Sequence, residues 1–156
     1  MTHEDYMLFA FDEAFTGMRS NKGGPFGSVI VSDGIVIGKG HNMVTSTNDP
    51  TAHAEVVAIR NACRAAAAFH LPNAVLYTSC EPCPMCLAAI YWANIKTVYY
   101  CADRIDAARI GFDDKFIYEE LIISPSKRIM KVEQLHLPIS NELFNEWTDK
   151  QDKTSY

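Results

Sequence analysis

The sequence predicts an α/β fold, with a mixed central sheet of about five strands flanked by helices. Three observations predict it. Short apolar runs alternate with segments of helical periodicity through the middle of the chain. The last two of these runs are separated by a helix, and strands joined through a helix run parallel. An Asp33-Gly34 dipeptide between two β-branched runs is a strong signal for an antiparallel hairpin.

The elements of the first half follow one another in order. Apolar residues at three- and four-residue steps from Tyr6 to Met18 predict a helix that ends near SNKGG. The stretch FGSVIVSDGIVIGKGHN predicts the hairpin. We expect a second helix to begin around Asp49 and to end before Pro72.

The second half continues the alternation. AVLYTS predicts a buried strand, PMCLAAIYWANI a helix opened by Pro84, and KTVYYCA another buried strand. Beyond Gly111, DDKFIYEEL is expected to be helical, KRIMKVEQLHL to be a strand, and NELFNEWTDKQDK to be helical. No repeat or linker interrupts the 156 residues, so residues 1–156 are expected to form a single domain.

The composition and charge of the chain limit the kinds of partner that it is expected to bind. The chain has 14 basic and 19 acidic residues, a formal charge of -5, and the basic residues are scattered. A nucleic-acid partner is therefore not expected. The N-terminus lacks the pattern of a signal peptide, and no apolar run reaches the roughly 20 residues that span a bilayer. We expect no membrane partner, a cytoplasmic location and reduced cysteines.

A metal site is indicated by three residues from two helix starts. Cys83 and Cys86 are three residues apart in the first turn of a predicted helix, so both sulfurs lie on one face. The helix N-terminus favours thiolates over thiols. His53 falls in the first turn of another predicted helix. The three side chains could therefore share one ion.

Glu55 indicates what the ion would do. One His and two thiolates leave the fourth position of a tetrahedral zinc ion open, which is typical of catalytic sites. His53 and Glu55 point in different directions on a regular helix, but in the first turn both can reach past the helix end. Glu55 could then accept the proton of a water molecule activated by zinc.

Other interpretations of the cysteines remain. Cys80 could complete a closed structural zinc site, although this gives no role to Glu55. An iron–sulfur run would need a cysteine at position 90, which is Ile. A redox Cys-x-x-Cys pair gives no role to His53. A zinc module used only for binding or assembly is the alternative outside enzymes.

The elements HAE (53–55) and PCPMC (82–86) together resemble the signature of the zinc-dependent cytidine deaminase-like superfamily. Wider agreement in GGPFGSVIV, NDPTAHAEVVAIR, YTSCEPCPMC and GFDDKFIY is similar to one branch, the bacterial guanine deaminases. The resemblance implies the three-layer α/β/α cytidine deaminase-like fold and one Zn²⁺ ion per subunit. It also implies that His53, Cys83 and Cys86 bind zinc and that Glu55 shuttles protons.

The resemblance also implies a set of substrate contacts. Asn42 binds the base, Phe26 lines the pocket, Ala54 contacts the substrate, and Asp114 both contacts it and takes part in proton transfer. A carboxylate can accept from the adjacent N1–H and amine of guanine, and an amide offers both a donor and an acceptor to the O6 and N7 edge.

The same branch forms homodimers that exchange C-terminal segments, here about residues 135–156. Trp92 and the terminal Tyr156 are implied to help shape the active site. The expected reaction is hydrolytic deamination of guanine to xanthine and ammonia, in purine catabolism or salvage. Guanosine is the nearest alternative substrate, whereas cytosine and tRNA adenosine are weaker ones.

Overall fold

A computed structural model describes all 156 residues. Its strands and helices, in chain order, are α1 His3–Arg19, β1 Gly27–Ser32, β2 Ile35–His41, α2 Val44–Thr47, α3 Ala54–Ala66, β3 Ala74–Cys80, α4 Pro84–Trp92, β4 Thr97–Ala102, α5 Arg104–Arg109, α6 Lys115–Ile122, a 3₁₀ turn Pro125–Lys127 and α7 Ile139–Asp149. The sheet has the order β2-β1-β3-β4. β1 is antiparallel to both β2 and β3, and β3 is parallel to β4. The predicted α/β class with a mixed sheet is confirmed, but the sheet has four strands and not about five.

The missing fifth strand is the KRIMKVEQLHL segment, which has no helix or strand after Lys127, the last residue of the 3₁₀ turn. Its alternating apolar residues satisfy the periodicity of a half-buried strand, yet no strand in the chain pairs with it. The prediction that KTVYYCA is buried is also wrong. β4 is an edge strand, and Tyr99 and Tyr100 are 39% and 50% exposed.

In the first half of the chain, one predicted turn is confirmed and one predicted helix start is wrong. Asp33 and Gly34 have φ values of 51° and 77°, the paired positive angles of a two-residue hairpin turn, so the hairpin is confirmed. The helix expected around Asp49 starts later, at Ala54. The Asp49 carboxylate instead accepts hydrogen bonds from the Thr51 N–H and hydroxyl, at 2.8 and 2.6 Å, and this favours a turn.

Alternate side chains of the sheet separate two apolar layers. Ile30 and Leu76 pack with residues of α3 and α4, including Ile90. Val29 and Tyr77, on the opposite face, pack with Tyr6 of α1. The sheet is thus covered by helices on both faces, as the three-layer arrangement requires.

α3 lies unusually close to β2, and this fixes the start of α3. A Cβ atom at Gly38 would lie 2.6 Å from the Ala58 carbonyl oxygen, and one at Gly40 would lie 2.5 Å from the Ala58 N. Only glycine at these strand positions allows the helix backbone to approach so closely. Ala62 adds a second small contact one turn further along. The N-terminal end of α3 is therefore held against the sheet by backbone contact.

The chain divides into two compact units, Met1–Ile117 and Tyr118–Tyr156. The first contains the sheet and the helices that cover it. The second contains most of α6, the 3₁₀ turn and α7. None of the helices is both long enough and apolar enough to cross a bilayer.

Candidate active site

Two of the predicted metal ligands occupy helix N-caps. His53 precedes α3 with φ -69° and ψ 157°, and Cys83 precedes α4 with φ -65° and ψ 168°. The sequence placed His53 inside the first turn, and the structure moves it one residue earlier. N-cap side chains usually accept a hydrogen bond from the helix, but neither of these does. Their extended backbones instead direct both side chains to a common point, where Cys86 joins them from the first turn of α4.

The three side chains are spaced as a zinc ion requires. The donor atoms of His53, Cys83 and Cys86 all lie within 4.8 Å of one another. The His53 Nδ1 is 3.5 Å from each of the two sulfurs. A tetrahedral ion with Zn–S bonds of about 2.3 Å and a Zn–N bond of about 2.0–2.1 Å would separate sulfur from nitrogen by about 3.5 Å. The donor set therefore fits zinc in both chemistry and distance.

Cys80 is not part of this cluster. Its Sγ faces the carbonyl oxygen of Asp103 at 3.6 Å. Burial raises the pKa of the Cys80 thiol to about 11, so this cysteine is a neutral group at the end of β3. The closed four-ligand site considered from sequence has no geometric support.

The three predicted metal ligands shift one another's pKa values, and the result is a negative charge at the cluster. Hydrogen bonds from Cys86 and then from His53 lower the pKa of Cys83 to about 4. The hydrogen bond to Cys83 raises the pKa of His53, against the opposing effect of burial. The hydrogen bond to Cys83, together with burial, raises the pKa of Cys86. Without metal, the Cys83 thiolate is therefore the negative centre, and Cys86 must release a proton when a metal binds.

Glu55 lies beside the cluster and is almost completely buried, with 6% of the residue exposed. Its Oε2 accepts from the Cys86 Sγ at 3.4 Å. Burial raises the pKa of the Glu55 carboxyl. A raised pKa makes a carboxyl a better proton acceptor, and a proton shuttle must both take up and return a proton.

A cavity of about 510 Å³ opens at the cluster, within the first unit. Its volume is in the range of small-molecule sites. Six of the residues predicted from sequence line it: Phe26, Asn42, His53, Glu55, Cys83 and Asp114. These residues come from five separate segments of the chain, so the fold brings together what the sequence only suggested.

Asn42 has one of its two polar atoms engaged within the chain. It is 5% exposed, and its Oδ1 accepts from the Val44 N–H at 3.1 Å. Asn42 lines the cavity, where its NH₂ group can donate to a bound base and its Oδ1 retains a second lone pair as an acceptor. Gly23 makes this placement possible, because a Cβ atom there would lie 2.5 Å from the Asn42 carbonyl oxygen.

Two phenylalanines line the cavity, and one of them, Phe112, was not predicted from the sequence. Phe112 packs edge-on against Phe26, with ring centroids 4.9 Å apart and planes at 89°. Such a contact holds a ring in a defined orientation. Asp114 lies two residues further on and also lines the cavity, and burial raises the pKa of its carboxyl. The segment GFDDKFIY, singled out for the family resemblance, was the only signal for Phe112.

Three other predicted contacts lie outside this cavity or in the other unit. Ala54 is fully buried in the first turn of α3 and does not line the cavity. Trp92 is 68% exposed at the last position of α4 and does not line it either. Tyr156 is 77% exposed and belongs to the second unit. Their roles in substrate binding stay predictions.

Sequence reasoning also missed an ion pair in the cavity wall. Glu81 and Arg104 both line the cavity, and the Arg104 Nη2 lies 2.6 Å from the Glu81 Oε1. The hydrogen bond from Arg104 lowers the pKa of Glu81, so the carboxylate is charged. Glu81 stands within the stretch YTSCEPCPMC, but nothing in the sequence indicates its partner 23 residues away.

A zinc-suited His–Cys–Cys cluster, with a buried carboxyl at its side and a cavity in front, defines a zinc-binding site of the catalytic type. Residues 1–102 match the family model described as the cytidine and deoxycytidylate deaminase zinc-binding region. The chain belongs to this family, and its cofactor is zinc.

Individual relatives within the family differ in how much of this chain they match. The guanine deaminase of Bacillus subtilis is 49% identical over 156 residues, which is 100% of both chains. The crystal structure of the Bacillus subtilis guanine deaminase matches with a TM-score of 0.97, covering 100% of this chain and 99% of that one. The tRNA-specific adenosine deaminase of Agrobacterium fabrum is 50% identical, but over only 78 residues, 50% of this chain and 51% of that protein. Similarity to guanine deaminase thus extends through the C-terminal unit.

Proposed function

We propose that this protein deaminates guanine hydrolytically, giving xanthine and ammonia, with one zinc ion per subunit. The observation that carries the proposal is the cavity in which the metal cluster and Glu55 meet Asn42 and Asp114. The full-length similarity to a guanine deaminase supports the choice of substrate.

The residues of the cluster divide the chemistry between them. His53, Cys83 and Cys86 would hold zinc, which would supply a water molecule activated for attack near neutral pH. Glu55 takes a proton from the attacking water as the new C–O bond forms at C2. It delivers this proton to the adjacent ring nitrogen, then takes the proton of the new C2 hydroxyl group and delivers it to the amine. The C2–N bond breaks as the C2 carbonyl forms, and ammonia leaves. Its burial beside Cys86 keeps the carboxyl in the place where both transfers occur.

Recognition of the base uses the polarity of its edges. O6 and N7 of guanine are both acceptors, and the free NH₂ group of Asn42 supplies two donors. Asp114 is proposed to accept from the N1–H and the exocyclic amine and to assist proton transfer, because it lines the same cavity as Glu55. Phe26, held by Phe112, stacks on the purine face.

We also propose a homodimer in which C-terminal segments, about residues 135–156, are exchanged. No residue of the second unit is buried. Its apolar side chains are exposed along one face of α7: Ile139, Leu143, Phe144 and Trp147. A contiguous exposed apolar face is typical of a surface that contacts a partner. In the exchanged dimer, Trp92 and Tyr156 complete the active site, and Ala54 backs it from α3.

The whole chain is proposed to act as one catalytic domain, 1–156, in the cytoplasm and in purine catabolism or salvage. The acidic balance of the chain, with 14 basic against 19 acidic residues, favours a small substrate over tRNA.

The test is ammonia release from guanine, guanosine, cytosine and adenine, with metal analysis of the same protein. We expect turnover of guanine alone and one zinc per chain. Glu55→Gln tests the role of the carboxyl in proton transfer, because it keeps the shape of the side chain and replaces the carboxyl with an amide. It should remain folded and zinc-loaded while turnover falls by about 10²–10⁴-fold. Turnover of guanosine but not guanine would contradict the substrate, and full activity of Glu55→Gln would contradict the mechanism.

A further inference from the structure

The Glu81–Arg104 pair joins the ends of the two parallel strands that lead into the site. Glu81 is the first residue after β3. Arg104 is the first residue of α5, two residues after β4 ends. The catalytic proposal gives neither residue a role, although both line the cavity.

One carboxylate makes four polar contacts here. The Arg104 Nη2 donates to the Glu81 Oε1 at 2.6 Å, and the Arg104 Nε lies 3.2 Å from both carboxylate oxygens. The backbone N–H of Arg104 donates to the Glu81 Oε2 at 3.1 Å. The backbone N–H of Glu81 donates to the Ala102 carbonyl at 2.8 Å. A forked guanidinium contact of this kind fixes orientation as well as distance.

The pair differs from an ordinary surface ion pair. The Glu81 and Arg104 side chains are 18% and 44% exposed, whereas the side chains of the Asp106–Arg109 pair on α5 are 50% and 72% exposed. Exposed pairs contribute little because solvent screens them. Glu81 is held firmly enough to transmit its position to the residues that follow.

The residues that follow lead directly to the metal cluster. Only Pro82 stands between Glu81 and Cys83, and proline fixes φ near -65°. Pro84 then starts α4 immediately after Cys83. The backbone of Cys83 is therefore restricted on both sides, and its position follows that of Glu81.

We propose that the Glu81–Arg104 pair positions Cys83 for zinc and thereby sets the metal affinity of the site. Both are positioning residues, acting through the Cys83 loop. The inference rests on the proposed function in one respect, that the cluster of His53, Cys83 and Cys86 binds zinc.

The experiment measures zinc affinity directly, by competition between the purified, metal-stripped protein and a chromogenic chelator. The variants are Glu81→Gln, Arg104→Lys and the two combined. Arg109→Gln is the matched control, because it removes an ion pair from the same helix away from the cavity. Loss of a group that orients a ligand typically costs about 10–100-fold in metal affinity. We expect losses in that range for both single variants, no additional loss in the combined variant, and a change under twofold in Arg109→Gln.

A purely structural role gives another result. If Glu81→Gln and Arg104→Lys lower the melting temperature of the metal-free protein but bind zinc as the wild type does, the proposal is overturned. Arg104→Lys retains the positive charge, so it separates loss of the fork from loss of charge should Glu81→Gln fold poorly. A wild type that binds zinc but leaves guanine unchanged would count against the proposed function and not against this inference.

Discussion

The metal region and the C-terminal unit use apolar residues in opposite ways. Around the metal cluster, α3 and α4 are anchored by buried side chains, and Glu55 is itself enclosed by its own chain. In Tyr118–Tyr156 no residue is buried, and one face of α7 is apolar and exposed. The metal region has within its own sequence what it needs to hold its shape. The C-terminal unit does not, which indicates that its ordering depends on another surface.

The largest expected effect lies inside the metal region, where two neighbouring cysteines should behave differently. Cys83→Ser removes a thiolate that the structure places at the metal point, whereas Cys80→Ser changes a thiol that faces a carbonyl group. Cys83→Ser should lower zinc affinity by more than the roughly 10–100-fold that follows loss of a group orienting a ligand. Cys80→Ser should change it by only a few-fold. Metal analysis after dialysis against a chelator measures both.

Equal zinc loss from the two variants would favour the closed structural site with Cys80 as fourth ligand. The circular dichroism of each metal-free variant provides the control, because it shows whether zinc loss reflects the ligand or unfolding.

The second prediction concerns the apolar face of α7. Leu143 is 63% exposed, and burying a leucine side chain is worth about 1.5–3 kcal/mol. Leu143→Glu should therefore weaken the proposed dimer by at least about tenfold. Analytical ultracentrifugation over a dilution series measures the dissociation constant. Asn145→Glu introduces the same charge on the opposite face of α7 and should leave the dimer unchanged.

If both variants remain dimeric at the same concentration, the face of α7 is not the contact between subunits. The exposed apolar side chains of α7 would then need an explanation other than contact between subunits.

Local sequence patterns were enough to predict most of the metal region. The Asp33-Gly34 turn, the helix between β3 and β4, and the helix starts that carry His53 and Cys83 each depend on signals a few residues long. These features could be predicted because turn chemistry and helix starts are local properties of the chain.

Features that depend on contact between distant segments could not be predicted. Glu81 meets Arg104 only because the register of β3 with β4 brings their ends together. The acceptor of Asn42 is used by Val44, which follows from the exact turn after β2. KRIMKVEQLHL was wrongly expected to be a strand because apolar alternation indicates a half-buried segment without saying what would pair with it.

The third prediction tests whether recognition of guanine also depends on the packing around the metal region. A Cβ atom at Gly23 would lie 2.5 Å from the Asn42 carbonyl oxygen, so Gly23→Ala must displace Asn42. A neutral hydrogen bond is worth about 0.5–1.5 kcal/mol, and Asn42 is proposed to donate two. We expect kcat/KM for guanine to fall about tenfold or more while zinc content stays constant. Steady-state kinetics with parallel metal analysis provides the measurement.

Asn42→Ala is the matched comparison, because it removes the amide directly. The two substitutions combined should cost little more than either alone, since both act through one side chain. Fully additive losses would mean that Gly23 acts by a route other than Asn42.

The smallest expected effect lies at the end of the C-terminal unit, where deleting Tyr156 should reduce activity without affecting metal binding. The ring is 77% exposed, and in the exchanged dimer it would be ordered only by contact with a partner subunit's site. Aromatic contacts are worth about 0.5–1.5 kcal/mol beyond their buried area, which corresponds to a loss of about two- to tenfold in kcat/KM. Tyr156→Phe retains the ring and removes the hydroxyl, so near-normal activity there would assign the effect to ring packing. Zinc content and dimer dissociation should match the wild type in both variants, because the metal cluster lies in the other unit and the apolar face of α7 is unchanged. Turnover unchanged by the deletion would remove Tyr156 from the active site, and dependence on a partner would then be confined to the assembly of the dimer.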